Sequence, residues 1–228
     1  MESRSIALDG PAGSGKSTLA KMAAEHFGLV YVDTGALYRC VGLYILRSNA
    51  DPNNGALVES LLPDMKIEIS YDGVGSQRMF LCGEDVSESI RMHIVSTYAS
   101  DASAIPAVRN YLLSTQREMA VRHDVIMDGR DIGTVILPNA GLKVFLTADP
   151  EIRAKRRYLE LLGKNVDTTL QTVYEDMVTR DKNDSGRSTA PLKAAEDSVV
   201  LDTTYLNLDE SFGALCEIIA GRLKKCDT

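Results

Sequence analysis

The chain has 228 residues, 44% hydrophobic and 25% charged, with 17 Gly, 7 Pro, 4 Cys and no Trp, which excludes collagen-like, disordered and disulfide-scaffold classes and fits one large domain or a core with a modest insertion. With 25 Lys plus Arg against 32 Asp plus Glu the net charge is -7, so no nucleic-acid or membrane partner is expected and any phosphate chemistry must rest on local clusters of positive charge. Cys40, Cys82, Cys216 and Cys226 are scattered without a C-x-x-C pair and are read as reduced thiols in packing roles.

The first element is a short apolar strand, Ser5 to Leu8, ending in Asp9-Gly10. The apolar run behind Met1-Glu2-Ser3-Arg4-Ser5 is too short for a signal peptide, and no stretch of the chain approaches about 18 continuous apolar residues. A cytoplasmic location is expected. Next come Gly10, Pro11, Ala12, Gly13, Ser14, Gly15, Lys16 and Ser17, which satisfy G-x-x-x-x-G-K-[ST] between a predicted strand and a helix predicted over Lys16 to Phe27. Glycines let consecutive N–H groups turn inward onto phosphate oxygens, and the helix start adds its positive dipole end. Lys16 is expected to reach the β- and γ-phosphates of a nucleoside triphosphate, and the Ser17 hydroxyl to ligate Mg²⁺.

A second strand, Leu29 to Val32, ends in Asp33-Thr34-Gly35, and a helix over Ala36 to Leu46 follows. Thr34 is a candidate cap for it, and Arg39, one turn on, a candidate anion ligand. From Lys66 to Ser100 two alternating segments flank Asp72-Gly73-Val74-Gly75, and the stretch is read as a small β-rich excursion. A helix over Ala107 to Val121 leads to strand Val125 to Met127, which ends in Asp128-Gly129-Arg130-Asp131. Strand Leu142 to Leu146 precedes helices over Glu151 to Leu162 and Leu170 to Asp184. The polar segment Arg180 to Ala195 is expected to be mobile; then come strand Ser198 to Leu201 and helix Ser211 to Leu223. Five short apolar strands alternating with helices predict an open α/β sheet, its chemistry beyond the carboxyl ends of the strands.

The phosphate loop does not identify the acceptor. A guanine-reading N-K-x-D motif would indicate a GTPase, but Asp181-Lys182-Asn183-Asp184 begins with Asp and lies in a helical pattern. Three arginine clusters remain: Arg39, Arg130 between two carboxylates, and Arg180, Asp184 and Arg187 on one helical face. Singly, each reads equally well as a surface ion pair. Together in an acidic chain they point to an acceptor carrying its own phosphate, which Arg matches bidentately. A phosphate monoester is largely dianionic at neutral pH and needs no general base.

IALDGPAGSGKST, VDTGALYR, GEDVSESIR, DGRDIGTVILP, RDKNDSGRSTAPL and VVLDTT, in this order, resemble the bacterial cytidylate kinases of the nucleoside monophosphate kinase group, almost end to end. The resemblance implies a three-layer P-loop kinase core with a five-stranded parallel sheet, made of residues of about 1–65, 101–150 and 190–228. It also implies a β-containing NMP-binding insert of about 66–100 and a short lid of about 151–189. It implies Mg²⁺-dependent transfer of the γ-phosphoryl of ATP to CMP or dCMP, with ATP held by the loop through Thr18. Thr34, Arg39, Arg130 and Arg187 would surround the acceptor phosphate, Ser100, Arg109 and Asp131 would read cytosine, and Arg180 and Asp184 would face the sugar. Of Arg153, Arg156 and Arg157, which share a helical face, Arg157 is the candidate for stabilising transferred charge; Arg153 reads as well as an exposed basic face. Thr34 departs from the Ser of many members, both offering a hydroxyl. Asp9 and Asp33 could orient Mg²⁺-bound waters, although capping explains either as well. A monomer is expected. The rivals are a small P-loop kinase with another acceptor and a nucleotide-operated switch.

Overall fold

The computed structural model describes residues 4–73 and 75–226, the side chains of 223–226 excepted. Met1, Glu2 and Ser3, Val74 of the expected turn and the Cys226 side chain lie outside the described residues. The chain forms two compact units, Met1–Leu29 with His123–Thr228, and Val30–Arg122.

The first unit is built on β1 (Ser5–Asp9), α1 (Lys16–Phe27), β6 (Val125–Gly129), β7 (Leu142–Thr147), α6 (Pro150–Gly163), α7 (Leu170–Gly186), β8 (Val199–Asp202) and α8 (Leu208–Cys226). The second contains β2 (Val30–Asp33), α2 (Thr34–Arg47), α3 (Gly55–Leu61), β3 (Ile67–Tyr71), β4 (Gln77–Leu81), β5 (Glu84–Asp85), α4 (His93–Ala102) and α5 (Pro106–Arg122). The central sheet has five strands in the order β2-β6-β1-β7-β8, the α/β architecture expected. β1 pairs in parallel with β6 on one side and β7 on the other, and β7 pairs in parallel with β8. The registers Asp9↔Gly129 and Asp9↔Phe145 bring the strand ends to one edge. Ala7, Leu8, Val125, Ile126, Met127 and Leu146 are fully buried or nearly so, because strands covered on both faces must be apolar throughout.

Helix boundaries follow their caps. Asp149 accepts from the Glu151 N–H at 2.8 Å and Pro150 opens α6, where its missing N–H costs nothing. Asn207 and Glu210 bond each other's backbone N–H reciprocally, both at 2.9 Å, so α8 starts three residues before the apolar pattern does. The expected Thr34 cap is corrected: Asp33 supplies the cap, accepting from the Ala36 N–H at 2.9 Å, while Thr34 is the buried first residue of α2.

The 66–100 stretch contains an antiparallel sheet, β3-β4-β5, but its end is helical, in α4. Val95, Ala99 and Ala102 fall at i, i+4 and i+7 and form the buried stripe of α4. α4 lies so close to α2 that a Cβ on Gly42 would stand 2.7 Å from the Ala99 backbone nitrogen and 2.8 Å from the Val95 carbonyl oxygen. The segment expected to be mobile begins inside α7, which continues to Gly186. Among the described residues no helix is long and apolar enough to cross a membrane.

Candidate active site

Between β1 and α1 the chain makes the phosphate loop. Gly10 has φ 153°, and a Cβ there would lie 2.0 Å from the Leu146 carbonyl oxygen, so only glycine fits. Gly15, at φ 90°, precedes α1, which starts without a side-chain cap and so keeps its positive end for an anion. Lys16 is buried and its ammonium donates to the Pro11 carbonyl at 2.6 Å and to Ser14 Oγ at 3.2 Å. Burial, and next the positive charge of Arg130, hold Lys16 well below the usual lysine range; Asp128 and Asp9 oppose this and Arg180 adds to it. Ser17 Oγ donates to Asp128 Oδ2 at 2.6 Å. Asp128 was not singled out as an oxygen ligand in the sequence, although its place at the end of β6, beside β1, is the signal that could have found it.

Asp9 caps rather than faces an ion. Its two oxygens accept from the Ile132 and Gly133 N–H groups, both at 2.8 Å, fixing a single π-turn over Ile132–Ile136. Burial pushes its carboxyl up to about 6, against the lowering effect of those two N–H bonds. Asp131, also buried, stands directly before this turn.

A second cluster gathers on α7. Arg130 Nε donates to Asp184 Oδ2 at 2.9 Å and its Nη1 to the Gly129 carbonyl at 3.2 Å. Arg187 Nη2 lies 3.7 Å from Asp184 Oδ1. Burial raises the Asp184 carboxyl, but Arg130, Arg180 and Arg187 together outweigh it and leave it below the usual range. The structure thus brings Arg130, Asp184 and Arg187 together, with the charge of Arg180 acting on Asp184, while Asp181-Lys182-Asn183-Asp184 sits inside α7 as its helical pattern predicts.

The three arginines of α6 diverge. Arg153, read as a candidate exposed residue, is buried and donates from Nε to the Ala148 carbonyl at 2.8 Å and from Nη1 to the Ala12 carbonyl at 2.8 Å and Asp181 Oδ2 at 2.6 Å. Arg156 donates to the Thr203 and Leu206 carbonyls. Arg157, the expected charge stabiliser, is half-buried and pairs with Glu160 at 2.7 Å. A face spanning i, i+3 and i+4 is about a third of a helix's circumference, wide enough for its edges to meet different surroundings.

In the second unit, Arg39 Nη2 pairs with Asp33 Oδ2 at 2.8 Å, and its buried Nε has no hydrogen-bond partner among the described residues. Gln77 of β4 holds Asp33 from both sides of its backbone, accepting from the N–H at 2.8 Å and donating to the carbonyl at 3.3 Å. Arg109 is buried, donates to the Ser103 carbonyl at 3.3 Å and lies 5.6 Å from the centre of the Tyr38 ring. Ser103 Oγ in turn donates to the Ser100 carbonyl at 2.7 Å. Arg109 and Ser100 are therefore linked through Ser103. Tyr38 and Gln77 were not read as site residues.

A parallel α/β sheet, a glycine-rich loop at the carboxyl end of β1, a buried lysine and a hydroxyl opening the next helix define a P-loop nucleotide-binding protein. Residues 6–221 match the sequence profile described as cytidylate kinase. Cytidylate kinases from Caldicellulosiruptor bescii, Exiguobacterium sibiricum and Streptococcus pneumoniae are similar to the chain. They are 47% identical over 96% of both chains, 44% over 98% of this chain and all of the other, and 45% over 92% and 94%. The chain belongs to the cytidylate kinase family. A crystal structure of an uncharacterized protein from Eubacterium ventriosum, 14% identical with a TM-score of 0.52 and matching 95% of this chain and 98% of the other, shares the fold.

Proposed function

We propose that this protein transfers the γ-phosphoryl group of ATP directly to CMP or dCMP, giving ADP and CDP or dCDP. The observation that supports this reading is the arginine cluster around Asp184, in the same unit as the phosphate loop: Arg130 bonds the Asp184 carboxylate at 2.9 Å, Arg187 lies 3.7 Å from it, and the charge of Arg180 acts on it as well. Arginine matches a phosphate bidentately, and guanidinium groups gathered in the same unit as the loop suit an acceptor that carries its own phosphate. ATP would lie along Gly10 to Thr18. Arg130, Asp131, Arg180, Asp184 and Arg187 of the first unit, and Thr34, Arg39, Ser100 and Arg109 of the second, are proposed to contribute to CMP binding.

Ser17 Oγ and Asp128 fit a magnesium ion. They are hard oxygen donors held together, and Mg²⁺ is ordinarily held by one or two protein oxygens plus phosphates and water. When bound, the ion supplies positive charge to the phosphoryl oxygens of ATP. The rest is the work of this chain's residues. Lys16 exchanges the Pro11 carbonyl for phosphate oxygens, and the loop N–H groups hold the donor. Arg130 and Arg187 orient the acceptor phosphate, already the dianion at neutral pH, so no side chain has to remove a proton. Asp131 can accept from the exocyclic amino group of cytosine, and Arg109 can donate to its ring acceptors. Arg157 would join the transferred charge only by leaving Glu160. The protein is proposed to act as a cytoplasmic monomer, without nucleic acid or membrane.

A coupled assay of ADP release with a panel of monophosphates tests the reading. Rapid turnover with CMP and dCMP, far above that with AMP or GMP, is expected. Acceptor-independent hydrolysis, or preference for a sugar hydroxyl, would overturn it.

A further inference from the structure

The Ala12 backbone, two residues past the start of the phosphate loop, is gripped on both its N–H and its carbonyl by one largely buried ion pair. Its N–H donates to Asp181 Oδ1 at 3.0 Å, and its carbonyl accepts from Arg153 Nη1 at 2.8 Å. The same Nη1 bonds Asp181 Oδ2 at 2.6 Å, so backbone, guanidinium and carboxylate close a ring. Arg153 Nε anchors that ring to the Ala148 carbonyl, just beyond β7. Side-chain exposure is 6% for Arg153 and 19% for Asp181, so the pair is poorly screened and its geometry is well determined. The next residue is pressed from the same side: a Cβ on Gly13 would stand 2.7 Å from Met177 Cε and 3.3 Å from the Arg153 carbonyl oxygen.

Asp181 sits on α7 between Arg180 and Asp184. The helix that carries the acceptor-side cluster is thereby joined, by charge-assisted bonds on both sides of one residue, to the loop that holds the donor. We propose that Arg153 and Asp181 are positioning residues that fix the register of the phosphate loop against α7, and hence the distance between donor and acceptor phosphates. Neither touches the reacting atoms. The inference rests on the proposed phosphoryl transfer between two nucleotides, where an error of about 1 Å in the in-line approach costs about a hundredfold in rate.

Asp181→Asn keeps an oxygen for the Ala12 N–H but loses the charge that holds Arg153. Its kcat is expected to fall about ten- to a hundredfold, with KM for ATP and for CMP changed less than about threefold. Arg153→Gln should do the same, and the double variant should be no worse than the poorer single one, because both changes break one ring. Arg153→Lys, which keeps the charge and one donor, should recover part of kcat. Hydrogen exchange of the loop amides, read without any turnover, should be faster in Asp181→Asn than in the parent, with isothermal titration of ADP nearly unchanged. A normal kcat, additive losses, or loss of ADP binding with unaltered loop exchange would each overturn the proposal. Failure of the parent enzyme to phosphorylate CMP would instead strike the proposed function, leaving the exchange measurement to judge the ring.

Discussion

Asp184→Asn isolates the electrostatic core of the acceptor cluster. The Asp184 side chain is 7% exposed and bonds Arg130 at 2.9 Å, with Arg187 at 3.7 Å. Asparagine keeps the shape and one acceptor but removes the negative charge that Arg130 bonds. Breaking a buried pair costs about 3–5 kcal/mol; because Arg130 is 20% exposed and water can approach it, about 2–3 kcal/mol is a fair expectation here. In a chain of this size each kcal/mol moves Tm by about 2–4 °C, so Tm should drop by about 4–12 °C. The more telling readout is recovery. The variant presents Arg130 without its carboxylate, so inorganic phosphate should raise its Tm more than it raises the parent's. The loss should also shrink at low pH. Asp184 titrates below its unfolded value, so its contribution is fully present above about pH 4 and disappears as pH falls through the depressed folded value. Differential scanning fluorimetry over a phosphate series at pH 7 settles the matter. Equal Tm and equal phosphate response in the two proteins would refute the idea that the Asp184 charge offsets the arginine cluster.

Three further changes test other parts of the site. Lys16→Ala should lower kcat by at least about 10²-fold while folding normally, since an ammonium held down by burial adds little to stability; near-normal turnover would remove Lys16 from the donor site. Asp131→Ala should bring the kcat/KM values for CMP and UMP closer together and leave KM for ATP almost as it was, and an unchanged ratio would exclude Asp131 from base reading. The Asp9 carboxyl at about 6 lies above its ordinary 3.8, so the fold takes up its proton first and this group costs stability as pH rises through that window, by about 3 kcal/mol in all. Urea unfolding of the parent and of Asp9→Asn, which has no charge to bury, should show the variant gaining on the parent between pH 4 and pH 7; parallel profiles would show that burial does not penalise Asp9, despite its nearness to Asp131 and Lys16.

Periodicity and punctuation carried most of the fold and the phosphate loop. The strands were legible because double-sided burial leaves them short and apolar, and the phosphate loop because each glycine is demanded by backbone geometry, as the 2.0 Å approach to Leu146 at Gly10 shows. α4 was not, since its buried stripe consists only of Val95, Ala99 and Ala102, one strand-favouring residue and two helix-favouring ones whose small side chains make a weak apolar pattern. Local chemistry misled at Thr34, where an equally good cap, Asp33, stood one position earlier. The contacts that could not be read are those closed by distant segments. Ser17 meets Asp128 across 111 residues, and Arg153 meets Ala12 across 141. On α6 the sequence gives three equivalent arginines, and only the position of the loop beside Ala148 decides that Arg153 turns inward and Arg157 outward.

The site solves a problem set by composition. A chain of net charge -7 has no long-range field to draw in nucleotides, so its cations must be concentrated, and concentrated cations repel one another; Arg130 and Arg180 both depress Lys16. The structure offsets that repulsion with its own oxygens. Pro11 and Ser14 occupy the Lys16 ammonium, Asp184 occupies Arg130, and Asp128 occupies Ser17. Each is a partner that phosphate or a phosphate-bound cation could replace, so ligand binding is an exchange of bonds already formed and its net gain is smaller than the sum of the new contacts. The proposed acceptor cluster fits the same pattern, since the charges of Arg130, Arg180 and Arg187 all act on Asp184. If that cluster holds the acceptor as proposed, a ligand lacking a phosphate would leave the Arg130–Asp184 bond unexchanged however well its sugar and base fit.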